Sequence, residues 1–431
     1  MTTSAANQTG VDRIELLDIL RGVAVLGILA INIISFGVPY GFSVVTIPGG
    51  QSAPNIAAWL VNAIFVEGTM RGIFAMLFGA GIVIYTRNLE RSGSLQAADL
   101  HVRRMFWLLV FGLVNSHLLL WRGDILFEYA LTGLLAYTFR NFRPRLLLTL
   151  AALGLLFVTA RGYSEWRYLG GLEAAARPAI AAEDAGRALT GDMKSALDAW
   201  RKETQGSRPT VELLEKNTAT MRGDFRGIFR FVTTEITDQR TITYYRHGFF
   251  ETLSTMLLGM ALFHLGALSG RWSRRQYLTL TLGAYGIGLT VNVLEAAFTM
   301  RSGFDPLVIE FTQLVSYQLG RVTTAVGHIG LIALLCQPSV AGALRSRLAA
   351  VGRMALTNYM AQSLICLVLF TGVGFGLYGK LQRFELYYVV LAIWCAQLLW
   401  SRPWLSRFQQ GPLERLWRAL THWSPSQPRA G

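Results

Sequence analysis

NSHLLLWRGDILFEY, residues 115–129, closes one apolar run (Arg104–Leu120) and opens the next (Ile125–Phe139). Arg122, Gly123 and Asp124 make the turn, His117 lies near the end of the first run, and Glu128 sits one turn into the second. Similar apolar runs of roughly 17 to 25 residues recur along the chain, long enough as helices to cross a ~30 Å hydrocarbon core. With both runs in a membrane, an imidazole and two carboxylates are held near one membrane face. His117, Asp124 and Glu128 are therefore the candidate proton-handling and catalytic residues.

Composition agrees with this reading. Of 431 residues 52% are hydrophobic and only 15% charged, against about a quarter charged in soluble domains. The expected fold is an all-α polytopic membrane protein. The net charge of +14 is concentrated in alternate loops, as at Arg87, Arg91, Arg103 and Arg104, at Arg140, Arg143 and Arg145, and at Arg271, Arg274 and Arg275. Arginines gathered on one side mark the cytoplasmic side. No stacking groove or RNA-reading motif accompanies them, so nucleic acid is excluded as a partner and the lipid bilayer is the expected one. Cys336, Cys366 and Cys395 fall inside apolar runs, without disulfide or metal-ligand spacing. No metal is expected. The first apolar run lacks a cleavage signature and reads as a retained helix.

About ten spans follow, with both termini in the cytoplasm: Leu16–Val38, Asn55–Tyr85, Arg104–Leu120, Ile125–Phe139, Leu146–Gly162, Gly248–Leu268, Tyr277–Met300, Ile309–Leu335, Ala355–Leu377 and Leu386–Trp400. Residues 1–162 form an N-terminal membrane half and 247–403 a C-terminal one. Between them, 163–246 alternate charges with Ala and Leu at helical spacing and read as an extracytoplasmic helical insert. It reads as a lid or acceptor-binding element beside His117, or equally as a solvated linker. Residues 404–431 read as a cytoplasmic tail, with GPLERLWRALTHW an amphipathic helix at the inner surface.

Several spans carry polar seams. Asp18, Arg21 and Asn32 share one face of the first helix, with Arg21 and Asn32 ~16 Å apart along its axis. Asp18 and Arg21 can pair, and Asn32 can join two helices. In the second span Glu67 and Arg71 are four apart and can pair, while Gly68 and Gly72 allow a break. Gln313, Tyr317, Arg321 and His328 make a stripe down the eighth span, with Asn292 and Glu295 of the seventh able to answer Arg321. Ionisable groups at such depth face a protein interior or a wet cavity. His247 and Glu251 open the sixth span, and Asn358 shares a face with Gln362 in the ninth. Asp124 is also a good helix N-cap, and His117 a good interhelical hydrogen bonder.

RIELLDILRGVAVLGILAINI, FVEGTMRGIFAMLFGAG, NSHLLLWRGDILFEYALTGLL, GRMALTNYMAQS and GPLERLWR together resemble the YeiB-like family of bacterial inner-membrane proteins, a domain of unknown function. The helical architecture of that family is similar to the transmembrane acyltransferase superfamily. The resemblance implies a multi-pass inner-membrane location and transfer of an acyl group, such as acetyl, from cytoplasmic acyl-CoA to a small-molecule or glycan acceptor at the outer face. His117 then serves as base beside Asp124 or Glu128. Asp18, Arg21, Asn32, Glu67, Arg71, Arg321, His328 and Asn358 line the route for acyl-CoA. Residues 39–66 contain no histidine, so the histidine that the heparan acetyltransferase group carries just after its first helix has no counterpart here. The same buried charges suit a proton-coupled or facilitative transporter, and the insert suits a non-catalytic partner or sensor. A homodimer is compatible with the sequence.

Overall fold

Residues 14–39, 49–91, 96–204, 210–238, 240, 244–245, 248–337 and 342–423 are described by a computed structural model. The first helix, α1 (Glu15–Gly37), is a run of Leu, Ile, Val and Ala with Glu15 and Asp18 in its first turn, where the helix dipole favours anions. It stops because Pro39 forces Val38 into an extended conformation (φ −119°, ψ 136°).

The second predicted span is broken in its middle. α2 (Ala53–Val61) passes into a π-turn, Asn62–Val66, and the chain leaves helical geometry at Glu67 (ψ 123°) and Gly68 (φ +70°) before α3 (Thr69–Arg91). Gly68 permits this break: a Cβ there would collide with the Tyr317 hydroxyl and lie 2.6 Å from Arg321 Cγ. α4 (Ala97–Leu113) likewise ends in a π-turn, Val114–Leu118, and the hairpin returns as α5 (Leu126–Ala136).

α6 (Pro144–Asp184) is a continuous 41-residue helix, about 62 Å long. It runs without interruption through residue 163, where the sequence suggested the insert begins. The rest of the insert is α7 (Gly191–Thr204), α8 (Val211–Met221) and α9 (Phe225–Asp238). α9 is amphipathic, and Ile228, Val232 and Ile236 are buried in the same apolar core as α1 and α15. Within the insert, α9 is thus packed on the bundle.

The second half comprises α10 (Phe249–His264), α11 (Arg274–Arg301), α12 (Pro306–Leu314), α13 (Tyr317–Cys336), α14 (Gly342–Arg353), α15 (Ala355–Phe370), α16 (Arg383–Arg407) and α17 (Pro412–Thr421). His247 lies outside the described residues. The predicted span Ile309–Leu335 is divided between α12 and α13, so Gln313 is exposed on a different helix and the expected stripe through His328 is not continuous. α14 and α15 meet at 81°. Ser273 and Gln276 close a capping box at the start of α11.

Among the described residues six helices or broken helices are long and apolar enough to cross a membrane, and the bent α14–α15 pair makes up to seven. α10 is shorter and apolar. Outward faces of α6 and α11 expose Leu153, Leu156, Phe157, Leu282, Leu294 and Phe298, as lipid-facing helices do. The chain is an all-α polytopic membrane protein. At the centre α3 and α10 touch through their backbones: a Cβ at Gly79 or Gly259 would overlap the carbonyls of Met256 and Met76. Small residues at such crossings maximise packing where no water drives association.

Candidate functional site

The break in helix two opens a cavity of about 240 Å³. Asn32 from α1, Glu67, Gly68 and Arg71 from the broken helix, Gly123, Asp124 and Glu128 from the hairpin, and Tyr317 from α13 line it. Five of the eleven residues singled out in the sequence therefore meet at one place. Arg71 does not pair with Glu67, as the i,i+4 spacing suggested. Gly68 turns the chain between them, and the Arg71 guanidinium donates instead to Glu251 on α10 at 2.5 Å. Glu67 and Glu128 stay on the cavity wall. Among the described residues no hydrogen bond or ion pair engages the Glu128 carboxylate.

Asp124 is held more tightly. Its carboxylate accepts from Asn115 Nδ2 (2.8 Å) and from the backbone N–H of Phe127 (3.0 Å), capping the start of α5. Arg240, at the end of the insert, lies 3.6 Å from it, with its guanidinium 4.1 Å above the Phe127 ring and donating to Ser116 Oγ. The cation that answers Asp124 thus comes from the insert rather than from the adjacent Arg122. Leu120 turns the hairpin at φ +54°, a strained value for a branched side chain. Trp121 secures the turn by stacking on Phe36 (3.7 Å) and donating to the Tyr359 hydroxyl (3.1 Å).

His117 does not line the cavity. It lies on the π-turn facing α9, with Nδ1 3.4 Å from Thr233 Oγ1 and its ring 6.3 Å from that of Phe229. The remaining residues proposed from sequence serve elsewhere. Arg321, 5% exposed, pairs with Glu295 and donates to Asn292 Oδ1 at 2.8 Å. Asn292 and Glu295 answer it as their positions suggested. Asn292 Nδ2 in turn donates to the carbonyl of Ile64 (2.8 Å), and His328 Nε2 to that of Phe65 (2.8 Å), while Tyr285 donates its hydroxyl to Nδ1 (2.6 Å). These side chains satisfy carbonyls of the π-turn. Asn358 ties α15 to α14 and α16 through Val351 O, Ser401 Oγ and Trp400 Nε1.

Asp18 and Arg21 do pair, at 3.1 Å. Arg21 reaches a second cavity of about 210 Å³, on the other side of the first turn of α5. Ile125 and Glu128 face the polar cavity, and Leu126 and Tyr129 face the second one. The Tyr129 hydroxyl donates to the Arg71 carbonyl (3.0 Å), so a single helical turn and one phenol separate the two. Among the described residues no three His, Cys, Asp or Glu side chains gather closely enough to hold a metal ion.

Arg240, Asn115 and Tyr359 were not foreseen. Asn115 opens the hairpin stretch, and Arg240 stands just before an apolar span, so both were visible as polar neighbours of a membrane boundary. Nothing in the sequence pairs Arg240 with a residue more than a hundred positions earlier.

Helices, a broken span and converging polar side chains define a polytopic membrane protein with a polar cavity between its helices. The comparisons refine that class. A family model described as "Protein of unknown function (DUF418)" matches residues 262–424. The chain is 30% identical to "Uncharacterized protein YxaH" of Bacillus subtilis (strain 168), over 96% of each chain. It is 29% identical to "Uncharacterized protein YeiB" of Escherichia coli (strain K12), over 94% of this chain and 95% of that one. The chain belongs to the YeiB-like family. No solved structure matches it.

Proposed function

We propose that the protein is a membrane-embedded acyltransferase of the bacterial inner membrane, with its arginine-rich end in the cytoplasm. It moves an acyl group from acyl-CoA to a hydroxyl or amine of an acceptor seated in the polar cavity. The observation that carries this reading is the Glu128 carboxylate, left unengaged among the described residues on a wall shared with Arg71 and Tyr317. A carboxylate so placed can take the acceptor's proton as its oxygen or nitrogen attacks the thioester carbonyl. Arg71, oriented by Glu251, then faces the oxyanion of the tetrahedral intermediate. Collapse breaks the C–S bond, the ester or amide forms, and the thiolate receives the proton and leaves as the thiol. Glu128 takes the role that sequence reasoning gave to His117, while Asp124 holds the hairpin and Arg240.

The test is transfer of label from acetyl-CoA into membrane glycan or lipid in inverted vesicles. Incorporation that depends on the protein and is lost in Glu128→Gln supports the proposal. Equal incorporation in vesicles lacking the protein overturns it. The break at Glu67–Gly68 favours a second reading, because transporters place broken helices at substrate sites. Solute movement in proteoliposomes without an acyl donor, sensitive to Glu67→Gln, is its signature.

A further inference from the structure

The second cavity has a different chemistry from the first. Its long wall is apolar: Phe74, Leu77, Phe78, Ile82, Leu108 and Leu356. Its rim carries Arg21, Arg104 and Arg353. One carboxylate, Glu414, also lines it, but is occupied by the Thr357 N–H (3.0 Å) and hydroxyl (2.6 Å). The Arg104 guanidinium is sandwiched 4.0 Å from the Trp417 ring and 4.7 Å from Tyr85, and among the described residues no carboxylate pairs with it. One polar atom on this wall, His101 Nδ1, is buried without a hydrogen-bond partner among the described residues, while the Tyr85 hydroxyl lies beside the Arg104 guanidinium. His101 Nε2 is 3.0 Å from the Gly133 carbonyl and must carry the proton, so Nδ1 is an unfilled acceptor. Buried polar atoms are normally satisfied, and an orphaned acceptor in a cavity wall marks the place of an absent donor.

We infer that this cavity binds an anionic amphiphile: a phosphate held by Arg104 and its neighbouring arginines, a hydroxyl or amide N–H donating to His101, and a hydrocarbon chain along the apolar wall between α3 and α4. α17, through Trp417 and Glu414, forms the far side of the site. The inference does not depend on the acyl-transfer reading. Two sources offer this chemistry, an anionic membrane lipid and a long-chain acyl thioester with a phosphorylated amide-bearing carrier.

Both are tested on the full-length protein in phosphatidylcholine nanodiscs, by titration with lysophosphatidylglycerol and, separately, with palmitoyl-CoA. Arg104→Gln removes the charge, and Leu108→Trp fills the cavity from its apolar wall while leaving every arginine in place. Saturable binding of either probe, weakened about ten-fold or more in each folded variant, is the expected result, since a charge-assisted contact carries at least that factor. The probe that binds names the source. Absence of binding of both probes to the folded wild type, or binding unchanged in Leu108→Trp, overturns the inference.

Discussion

Replacing Glu295 by glutamine isolates what the ion pair with Arg321 does. Both side chains are nearly dry, 8% and 6% exposed. Removing one partner of such a pair costs about 3–5 kcal/mol, because the other charge is left buried and uncompensated. Arg321 in Glu295→Gln keeps Asn292 Oδ1 and the Tyr317 ring at 5.0 Å, which places the loss near ~3 kcal/mol. If Asn292 turns to follow the guanidinium, the Ile64 carbonyl loses its donor and another ~1–3 kcal/mol is added. The double replacement Arg321→Met with Glu295→Leu removes both charges, and is expected to lie within ~1–2 kcal/mol of wild type, since apolar substitutes for buried pairs are often neutral or stabilising. Unfolding by SDS titration in mixed micelles, followed by circular dichroism, gives all three values. A double variant as unstable as the single one would refute the structural role. One that is stable but has lost function would restore Arg321 to the site.

Gly68→Ala forces a Cβ into left-handed backbone against Tyr317, and should cost about 2–4 kcal/mol from strain plus overpacking, read as a lowered Tm. Arg240→Ala leaves Asp124 without its cation, and should raise chymotrypsin cleavage in the insert several-fold, whereas Arg122→Ala should not. Trp417→Ala removes both the Arg104 contact and the 2.9 Å bond to the Arg104 carbonyl. It should loosen α17 by about 1–3 kcal/mol. Proteolysis of the tail is then faster at an unchanged global Tm.

The helices were legible because apolar length and arginine-rich loops are properties of contiguous sequence. The break at Gly68 was legible as an option, since glycine allows it, but not as the reason Arg71 turns from Glu67 to Glu251. That choice is made by α10, 180 residues away. The hairpin was found as a chemical cluster, yet the sequence could not orient it. A π-turn shifts the register of His117 by one residue per turn, and this sends the imidazole to α9 while Asp124 and Glu128 stay on the cavity. Arg321, His328 and Asn358 stood out because buried polar groups in a membrane are costly. The structure engages each in helix-to-helix hydrogen bonds, the ordinary outcome of that cost.

The bonds that close the π-turn also impose an order on assembly. The carbonyl of Ile64 accepts from Asn292, which follows 228 residues later in the chain, and that of Phe65 accepts both from Thr69 in the same half and from His328, 263 residues later. A nascent first half entering the bilayer lacks the Asn292 and His328 donors. Until α11 arrives, the Ile64 carbonyl must either keep a helical partner or be hydrated. The polar cavity is thus a late product of biosynthesis, formed when the second half of the chain docks on the first.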